Sequence, residues 1–122
     1  MQKLERKIKK DSCYTLSFDT RYEKEFESAI PDTTGKAPYL RAHFDTPISL
    51  QISLSNSECV SEEVIHLSFP VTHQEWKRNN IQFKPTKDYY YIILEATYYK
   101  KIGYGHLLLD NFSDIFSVNC TK

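Results

Sequence analysis

Residues 47–54 read PISLQISL and carry the clearest structural signal in the chain. Every second residue from Ile48 to Leu54 is a branched aliphatic residue, whereas Ser49, Gln51 and Ser53 occupy the positions between them. Successive side chains of a β-strand point to opposite faces of its sheet. This stretch therefore predicts a strand with one face in a hydrophobic core and a polar opposite face.

The same two-residue period recurs along most of the chain after Cys13. Further strand-like segments are CYTLSFD at 13–19, YLRAHF at 39–44, VIHLSF at 64–69, the stretch from Trp76 to Phe83, HLLLDNF at 106–112 and DIFSV at 114–118. In VIHLSF, the pattern places Ile65, Leu67 and Phe69 toward the core. The segment 89–99, YYYIILEATYY, is apolar or amphipathic on both faces, which is typical of a central strand.

Two places leave the local structure open. Trp76 lies at an odd offset from Ile81, so either a β-bulge separates them or Trp76 points away from the face of Ile81. Tyr22, Phe26 and Ile30 follow at steps of four, which permits a helical turn in the longest stretch without a strand pattern.

Length and composition favour one β-rich domain. The 122 residues suit a single core, and the 14% aromatic content with nine Tyr and seven Phe excludes a disordered or collagen-like chain. Seven or eight short strands separated by polar turns predict an all-β fold, an antiparallel β-sandwich of the jelly-roll type. We expect the sandwich at 12–118, between a short basic N-terminal arm at 1–11 and a tail at 119–122.

The formal net charge of zero conceals a basic start and a mildly acidic remainder. Residues 1–10, MQKLERKIKK, contain five Lys or Arg and one Glu, and they predict a solvated arm or a short helix. The rest offers no basic surface for nucleic acid. No secretory leader and no apolar run long enough for a membrane span occurs in this sequence, so an exported protein would have its leader outside it.

The cysteines and acids give no catalytic motif. Cys13, Cys59 and Cys120 lack zinc-site spacing, and they are either three thiols or one disulfide with one thiol left, for which Cys13–Cys59 is the candidate pair. His43, His66, His73 and His106 show no metal-ligand spacing, and no phosphate loop or nucleophile elbow is present. Glu95 and Asp110 interrupt apolar segments, which makes them either an ion-binding pair or outward-facing acids.

Aromatic residues are the remaining candidates for binding. Flat aromatic rings stack on the apolar side of a sugar, while amide and guanidinium groups bind its hydroxyls. Most tyrosines of a sandwich pack in its core, and this alternative stays open for each of them. The predicted ligand-binding residues are Trp76, Tyr89, Tyr91, Tyr98, Tyr99, Arg41 and Gln51.

Three segments carry a resemblance to a known family: CYTLSFD, the block from Pro70 to Tyr99, and GHLLLDNFSDI at 105–115. Together they resemble the galactose-binding-like jelly rolls of carbohydrate-binding modules, in the version found in surface and secreted proteins of Bacteroidetes. A more distant resemblance is to adhesion domains of the MAM class. The resemblance spans 12–118, and none of its motifs marks an active site.

The resemblance implies a non-catalytic recognition module, extracellular or in the cell envelope and associated with the outer membrane. Its ligand would be a glycan or another envelope component. The alternative is a structural or protein–protein adhesion module that binds no sugar. The resemblance also implies a structural calcium held by the Asp of the LDN motif, which is Asp110 here, although the basic start replaces the strand expected to supply further ligands.

Overall fold

The computed structural model describes residues 2–23, 27–43, 46–98 and 105–120, and within them the protein is all-β with no helix. Every strand pairing is antiparallel, as the sequence predicts. The described strands are β1 (Gln2–Ile8), β2 (Cys13–Arg21), β3 (Glu27–Pro31), β4 (Tyr39–His43), β5 (Ser49–Ser55), β6 (Glu63–Leu67), β7 (Lys77–Phe83), β8 (Tyr89–Thr97), β9 (Leu108–Asp110) and β10 (Phe116–Val118).

The first sheet has the strand order β1-β8-β5-β6. β8 lies between β1 and β5, which confirms the central strand predicted for 89–99. On β5, Leu50, Ile52 and Leu54 are buried in the core, as their alternation predicts. Ser49, Ser53 and Ser55 are also buried, so most of the opposite face of this strand is closed to solvent as well.

The second sheet is built around β2. β7 pairs with one edge of β2, while β9 and β10 pair with different halves of the other edge. The connection between β9 and β10 stays bound to β2, because the Ser113 amide donates to the Ser17 carbonyl at 2.8 Å and the Ser17 amide donates to Ser113 Oγ at 2.9 Å. The second sheet is therefore three strands wide, with β9 and β10 one after the other along the same edge of β2.

The two sheets contribute to the same hydrophobic core. From the first sheet come Ile8, Leu50, Ile52, Leu54 and Tyr89, and from the second come Leu16, Phe18 and Phe83. All eight are nearly inaccessible to solvent. Their burial removes apolar surface from water and is the main source of stability in a fold of this size.

A separate hairpin connects the two sheets along the chain. β3 and β4 pair from Glu27 with His43 to Pro31 with Tyr39. Ile30 lies in β3, so the helical turn that its spacing permits does not form there; Phe26 lies outside the described residues. The turn at 32–38 is organised by Asp32, whose carboxylate accepts hydrogen bonds from the amides of Thr34 and Ala37.

The basic start of the chain is a strand, which corrects the expected solvated arm. Gln2–Ile8 forms β1, and Ile8 is buried against the core. Asp88 helps to hold this segment, because its carboxylate accepts a hydrogen bond from the Lys10 amide at 2.7 Å and lies 3.4 Å from Lys7 Nζ. The lysines of β1 are exposed, a composition that suits an edge strand because charge discourages further pairing.

The disulfide joins Cys13 to Cys120, not to Cys59 as the sequence suggested. β10 pairs with the first residues of β2, with Val118 opposite Cys13, and this brings Cys120 beside Cys13. Cys59 lies on the surface with a positive φ of 61° and is not part of this bridge. The disulfide therefore closes nearly the whole chain into one loop.

The structure contradicts the predicted direction of two side chains in and after β6, and it decides between the two alternatives for Trp76. Leu67 and Phe69 are exposed, at 61% and 91%, rather than buried. The pairing of β5 with β6 shifts register between Ile52 and Ser53, and such an irregularity reverses the face on which later side chains lie. β7, in contrast, pairs with β2 in regular register, so Trp76 points away from the face of Ile81.

No helix in the described part of the chain is long and apolar enough to cross a membrane.

Candidate functional site

The predicted ligand-binding residues are spread over three sheets. Asp110 belongs to the second sheet, Trp76 directly precedes β7 of that sheet, and Arg41 belongs to the β3–β4 hairpin. The remaining described residues of the set, Tyr89, Tyr91, Tyr98 and Gln51, lie in the first sheet or directly after it, and Tyr99 lies outside the described residues. The structure thus does not bring the full set together.

Tyr89 belongs to the core and cannot serve as a stacking surface, which corrects that prediction. Its side chain is only 2% exposed, and its hydroxyl donates to Glu63 Oε1 at 3.0 Å. Burial, with the nearby Glu63 carboxylate, raises the pKa of Tyr89 above its usual value. Glu63 also accepts hydrogen bonds from the amide and hydroxyl of Thr86, so Tyr89 fixes the turn between β7 and β8.

The other first-sheet residues do not form a shared binding surface. Tyr91 is half-buried opposite Ser55, and Gln51 lies four residues away along β5, opposite Glu95. Tyr98 is exposed, but its hydroxyl accepts a hydrogen bond from the Gly105 amide at 3.2 Å. Of the two alternatives for Glu95 and Asp110, the structure favours outward-facing acids, because both are exposed and lie in different sheets.

Arg41 is an exposed residue of the hairpin. Its guanidinium lies 3.5 Å from the Glu27 carboxylate on the paired strand, and His43 lies 3.4 Å from the same group. Pairs of this kind on the surface contribute little to stability. The described structure places no aromatic candidate of the predicted set on this hairpin.

The strongest candidate for a site is the side of the second sheet that faces away from the core, which we call the outer β2–β7 face. Leu16 and Phe18 of β2 are buried in the core, so the residues that alternate with them lie on the opposite side of the sheet. Residues that lie directly opposite one another on β2 and on β7, β9 or β10 point to the same side of the sheet, and each such set forms a row across the face. The paired residues of this face are Thr15, Ser17, Asp19, Arg21, Arg78, Asn80, Gln82, Leu108, Asp110 and Phe116, and Trp76 joins them through its contact with Arg21.

Arg78 organises the middle of this face. Its Nη1 lies 3.3 Å from Asp19 Oδ1 and donates to the Asn111 carbonyl at 3.1 Å, and its Nη2 donates to Ser17 Oγ at 2.8 Å. A guanidinium carries five N–H donors, so these three contacts leave donors for a ligand. The side chain is held in place while remaining about half exposed.

Asp19 is fixed from both sides. Its Oδ2 accepts a hydrogen bond from Asn111 Nδ2 at 2.9 Å, in addition to the contact with Arg78. The hydrogen bond from Asn111, followed by the contact and charge of Arg78, holds the pKa of Asp19 below its usual value despite the opposing effect of burial. Asp19 is therefore ionised and oriented over the whole neutral pH range.

Trp76 forms one end of the face. Its indole ring is 45% exposed, and Arg21 Cζ lies 5.6 Å from the ring centroid. A guanidinium over an aromatic ring is a cation–π contact, which favours this orientation of the indole. The Trp76 ring is thus an accessible aromatic surface next to the row Arg78, Asn80 and Gln82.

Phe116 and an open cavity form the other end. Phe116 is 54% exposed and pairs with Thr15, which in turn pairs with Gln82. Beside Gln82 lies a cavity of about 350 Å³, lined by Cys13, Gln82, Phe83, Lys84 and Cys120. This volume is at the lower end of the range of sites that bind small organic molecules.

The residues around Asp110 do not fit the calcium that the family resemblance implies. Asp110 is exposed, and its Oδ1 accepts a hydrogen bond from the Asn111 amide at 2.8 Å. Its nearest acidic neighbour, Asp19, is already paired with the guanidinium of Arg78. No group of three or more potential metal-ligating His, Cys, Asp or Glu occurs within 2–23, 27–43, 46–98 and 105–120, so no step is assigned to a metal.

Sequence reasoning missed the polar centre of the face. Asp19, Arg78 and Asn111 are far apart in the chain and become neighbours only through the register of β2 with β7 and β9. One signal was present in the sequence: Trp76, Arg78, Asn80 and Gln82 alternate along one strand and all carry groups suited to sugar binding. The alternation of these residues with Ile81 and Phe83 predicts a core-facing side of the strand, but it does not by itself predict a binding surface on the other side.

Comparisons with known proteins add no relative: no family model matches the chain, and no curated protein or solved structure matches it significantly. The resemblance to carbohydrate-binding modules thus stays a hypothesis. Function has to be argued from the geometry of the outer β2–β7 face, because a fold alone does not specify a ligand.

Proposed function

We propose that the protein is a non-catalytic recognition module that binds a glycan on its outer β2–β7 face. The observation that carries the proposal is the exposed indole of Trp76, in contact with Arg21, at the end of a row of exposed polar side chains on β7. Sugar recognition combines a flat apolar contact with hydrogen bonds to hydroxyl groups. Trp76 supplies the first, and Arg78 with Asn80 and Gln82 supplies the second.

The rigidity of the face supports this proposal. Asp19, Ser17 and the Asn111 carbonyl hold Arg78 before any ligand arrives, so little side-chain freedom is lost on binding. Ordering a long side chain costs about 0.5–1.5 kcal/mol in an interface, and a preorganised guanidinium avoids most of this cost. The outer β2–β7 face is therefore suited to a weakly interacting, hydroxyl-rich ligand.

The proposal includes the architecture and the cellular location. A jelly-roll β-sandwich is supported by the shared core of the two sheets and by the pairing of β1 with β8 and of β2 with β7 in different sheets. An extracellular or envelope location is supported by the disulfide between Cys13 and Cys120, since such bridges persist in oxidising compartments.

A glycan array tests the proposal directly. The disulfide-bonded protein is applied beside its Arg78→Ala variant, and we expect saturable binding of one glycan class by the first and a loss of about tenfold or more in affinity for the second. Circular dichroism and melting temperature show whether the variant keeps its fold. Absence of binding to every glycan, with the fold intact, would contradict the proposal.

Protein adhesion is the second candidate, and a separate surface favours it. Val64, Leu67 and Phe69 are exposed large apolar residues in or directly after β6. Clusters of this kind often mark protein contacts. If adhesion is the function, Phe69→Ala abolishes association with the partner protein while Trp76→Ala leaves it unchanged.

A further inference from the structure

The outer β2–β7 face has an aromatic residue at each of its two ends, and a cavity lies at the second end. Rows of polar side chains lie between the two ends. Trp76 with Arg21 forms the first end, and Phe116 with the cavity beside Gln82 forms the second. Arg21 lies six positions along β2 from Thr15, the partner of Phe116, which corresponds to about 20 Å along an antiparallel strand. A single sugar ring covers only a fraction of this length.

We infer that the ligand is an extended, uncharged glycan chain that lies along β7 from Trp76 to the cavity beside the Cys13–Cys120 disulfide. This inference rests on the proposed function. A site for a single terminal sugar would concentrate its aromatic and polar groups at one point. Here the side chains of Arg78, Asn80 and Gln82 succeed one another on alternate residues, so contacts are available over the whole path.

The charged side chains in the middle of the outer β2–β7 face favour an uncharged glycan as the ligand. Arg78 is paired with Asp19, and Asp110 adds a second carboxylate in the same row. Arg21 lies 3.8 Å from Glu23 and contacts the Trp76 ring. Because each cation of these rows already has an acidic partner, a polyanionic glycan would meet uncompensated carboxylates, which disfavours binding.

The second end is suited to hold the end of the chain or a bend in it. Gln82 and Lys84, which carry hydrogen-bond donors, line the cavity together with Phe83 and the disulfide. Phe116 lies beside this wall, two residues before Val118, which pairs with Cys13. An aromatic contact and hydrogen-bond donors are therefore available at both ends of the path.

The test measures how affinity depends on chain length. Linear gluco-, manno- and xylo-oligosaccharides, each as monosaccharide, disaccharide, tetrasaccharide and hexasaccharide, are titrated calorimetrically into the disulfide-bonded protein. For the series that binds, we expect affinity to rise steeply between the disaccharide and the longest chain. Trp76→Ala weakens binding of long and short chains alike, whereas Phe116→Ala weakens only the long ones, by about tenfold.

A matched control and three outcomes make the test decisive. Tyr39→Ala removes an exposed aromatic residue of the β3–β4 hairpin and is expected to change no affinity. Full affinity for a monosaccharide, or no effect of Phe116→Ala on the longest chain, would overturn the extended-chain inference while leaving the proposed function standing. Tight binding only of acidic chains on an array would overturn the uncharged class. Absence of binding to any glycan would instead contradict the proposed function itself.

Discussion

Arg78 shows how one residue converts a strand into a binding surface. Its guanidinium joins β2, β7 and the turn after β9, because it contacts Asp19, Ser17 and the Asn111 carbonyl. A lysine would keep the positive charge but could not make three contacts in fixed directions. The position therefore requires arginine for geometry as much as for charge.

Protonation of Asp19 provides a test of this arrangement. The pKa of Asp19 lies below its usual value of 3.8 in the folded protein, chiefly because of the hydrogen bond from Asn111. A carboxylate with a lowered pKa supports the folded arrangement above its unfolded value and ceases to do so as the pH falls through the folded value. We expect glycan affinity to be constant from neutral pH to about pH 5 and to fall below pH 4.

Asp19→Asn is the matched variant for that pH profile. It keeps the shape of the side chain but removes the titrating group, so its affinity is lower at neutral pH and loses the dependence on pH that Asp19 causes. Calorimetric titrations at several pH values measure both effects. An identical profile in the variant would mean that another group causes the acid loss.

Tyr89 is the second residue with a testable electrostatic role. Partial burial opposes ionisation of Glu63, but hydrogen bonds from Thr86 and Tyr89 outweigh it and lower the pKa of Glu63. Tyr89→Phe removes one of these bonds, and we expect a loss of about 1–2 kcal/mol in the free energy of unfolding at pH 7. The loss should shrink as the pH falls through the folded pKa of Glu63, because the stabilisation requires the carboxylate.

Urea unfolding at several pH values measures this prediction. Tyr90→Phe is the control, since Tyr90 is exposed and the same hydroxyl is removed from a neighbouring position. Its effect should remain within about 0.5 kcal/mol. An equal loss for both variants would contradict the role given to the Tyr89 hydroxyl.

Gly105 is required by a close approach of two segments. It forms a parallel bridge with Thr46, and a Cβ atom at this position would collide with the Thr46 carbonyl and the Ile48 side chain. Gly105→Ala is expected to destabilise the protein by about 1–3 kcal/mol through overpacking. The comparison is Gly35→Ala, where a Cβ meets nothing and only the positive φ of 76° carries a cost, of about 1–2 kcal/mol.

Thermal unfolding of the two glycine variants separates the causes. If collision dominates at Gly105, the free-energy loss there exceeds that at Gly35 and is partly relieved by Ile48→Leu, which removes the Cγ2 methyl group that a Cβ atom at Gly105 would meet. No relief in the double variant would contradict a steric origin at that side chain.

At the scale of elements, the disulfide fastens β10 to the start of β2. Cys13 and Cys120 are 107 residues apart in sequence, and a crosslink of that length lowers the entropy of the unfolded chain strongly. We expect the double variant Cys13→Ser with Cys120→Ser to lose about 4 kcal/mol of unfolding free energy. Urea titration under oxidising conditions measures the loss.

Cys59→Ser is the control for the disulfide. Cys59 lies on the surface outside the bridge, so its replacement should change stability by no more than about 0.5 kcal/mol. Addition of reductant should reduce the stability of the native protein to that of the double variant and should leave the double variant itself unchanged. A large effect of Cys59→Ser would contradict the pairing of Cys13 with Cys120.

The elements also explain how far the sequence could be interpreted. β5 was predictable because a two-residue period over seven residues is a strong signal, and β8 because a nine-residue segment that is apolar or amphipathic on both faces is typical of a central strand. The outward direction of Leu67 could not be predicted, because it depends on the register shift between β5 and β6. β1 was not predictable either, since a basic segment becomes a strand only when a neighbour such as β8 offers its edge.

The candidate site was predictable only at one end. Trp76 was identified from its residue type, but the rows that join it to Asp19 and Asp110 follow from pairings between distant segments. The choice of Tyr89 failed for a related reason, because alternation alone does not distinguish a buried tyrosine from an exposed one. Local periodicity specifies strands, whereas tertiary register specifies surfaces.

At the scale of the whole molecule, the two sheets have different roles. The first sheet contributes most of the core and anchors the chain start through β1, while the second exposes a polar face with aromatic ends. The outer β2–β7 face and the apolar surface around Phe69 are thus two separate candidate surfaces. We expect ligand binding to depend on the outer β2–β7 face and not on the surface around Phe69.

Calorimetric titration of the glycan selected on the array tests this central claim most directly, with Trp76→Ala and Phe69→Ala compared in parallel. Both variants remove a large exposed ring, so nonspecific loss of apolar surface affects them equally. The account predicts that Trp76→Ala weakens binding by about tenfold or more while Phe69→Ala stays within about twofold of the native protein. Unchanged affinity in Trp76→Ala, or a comparable loss in Phe69→Ala, would contradict it.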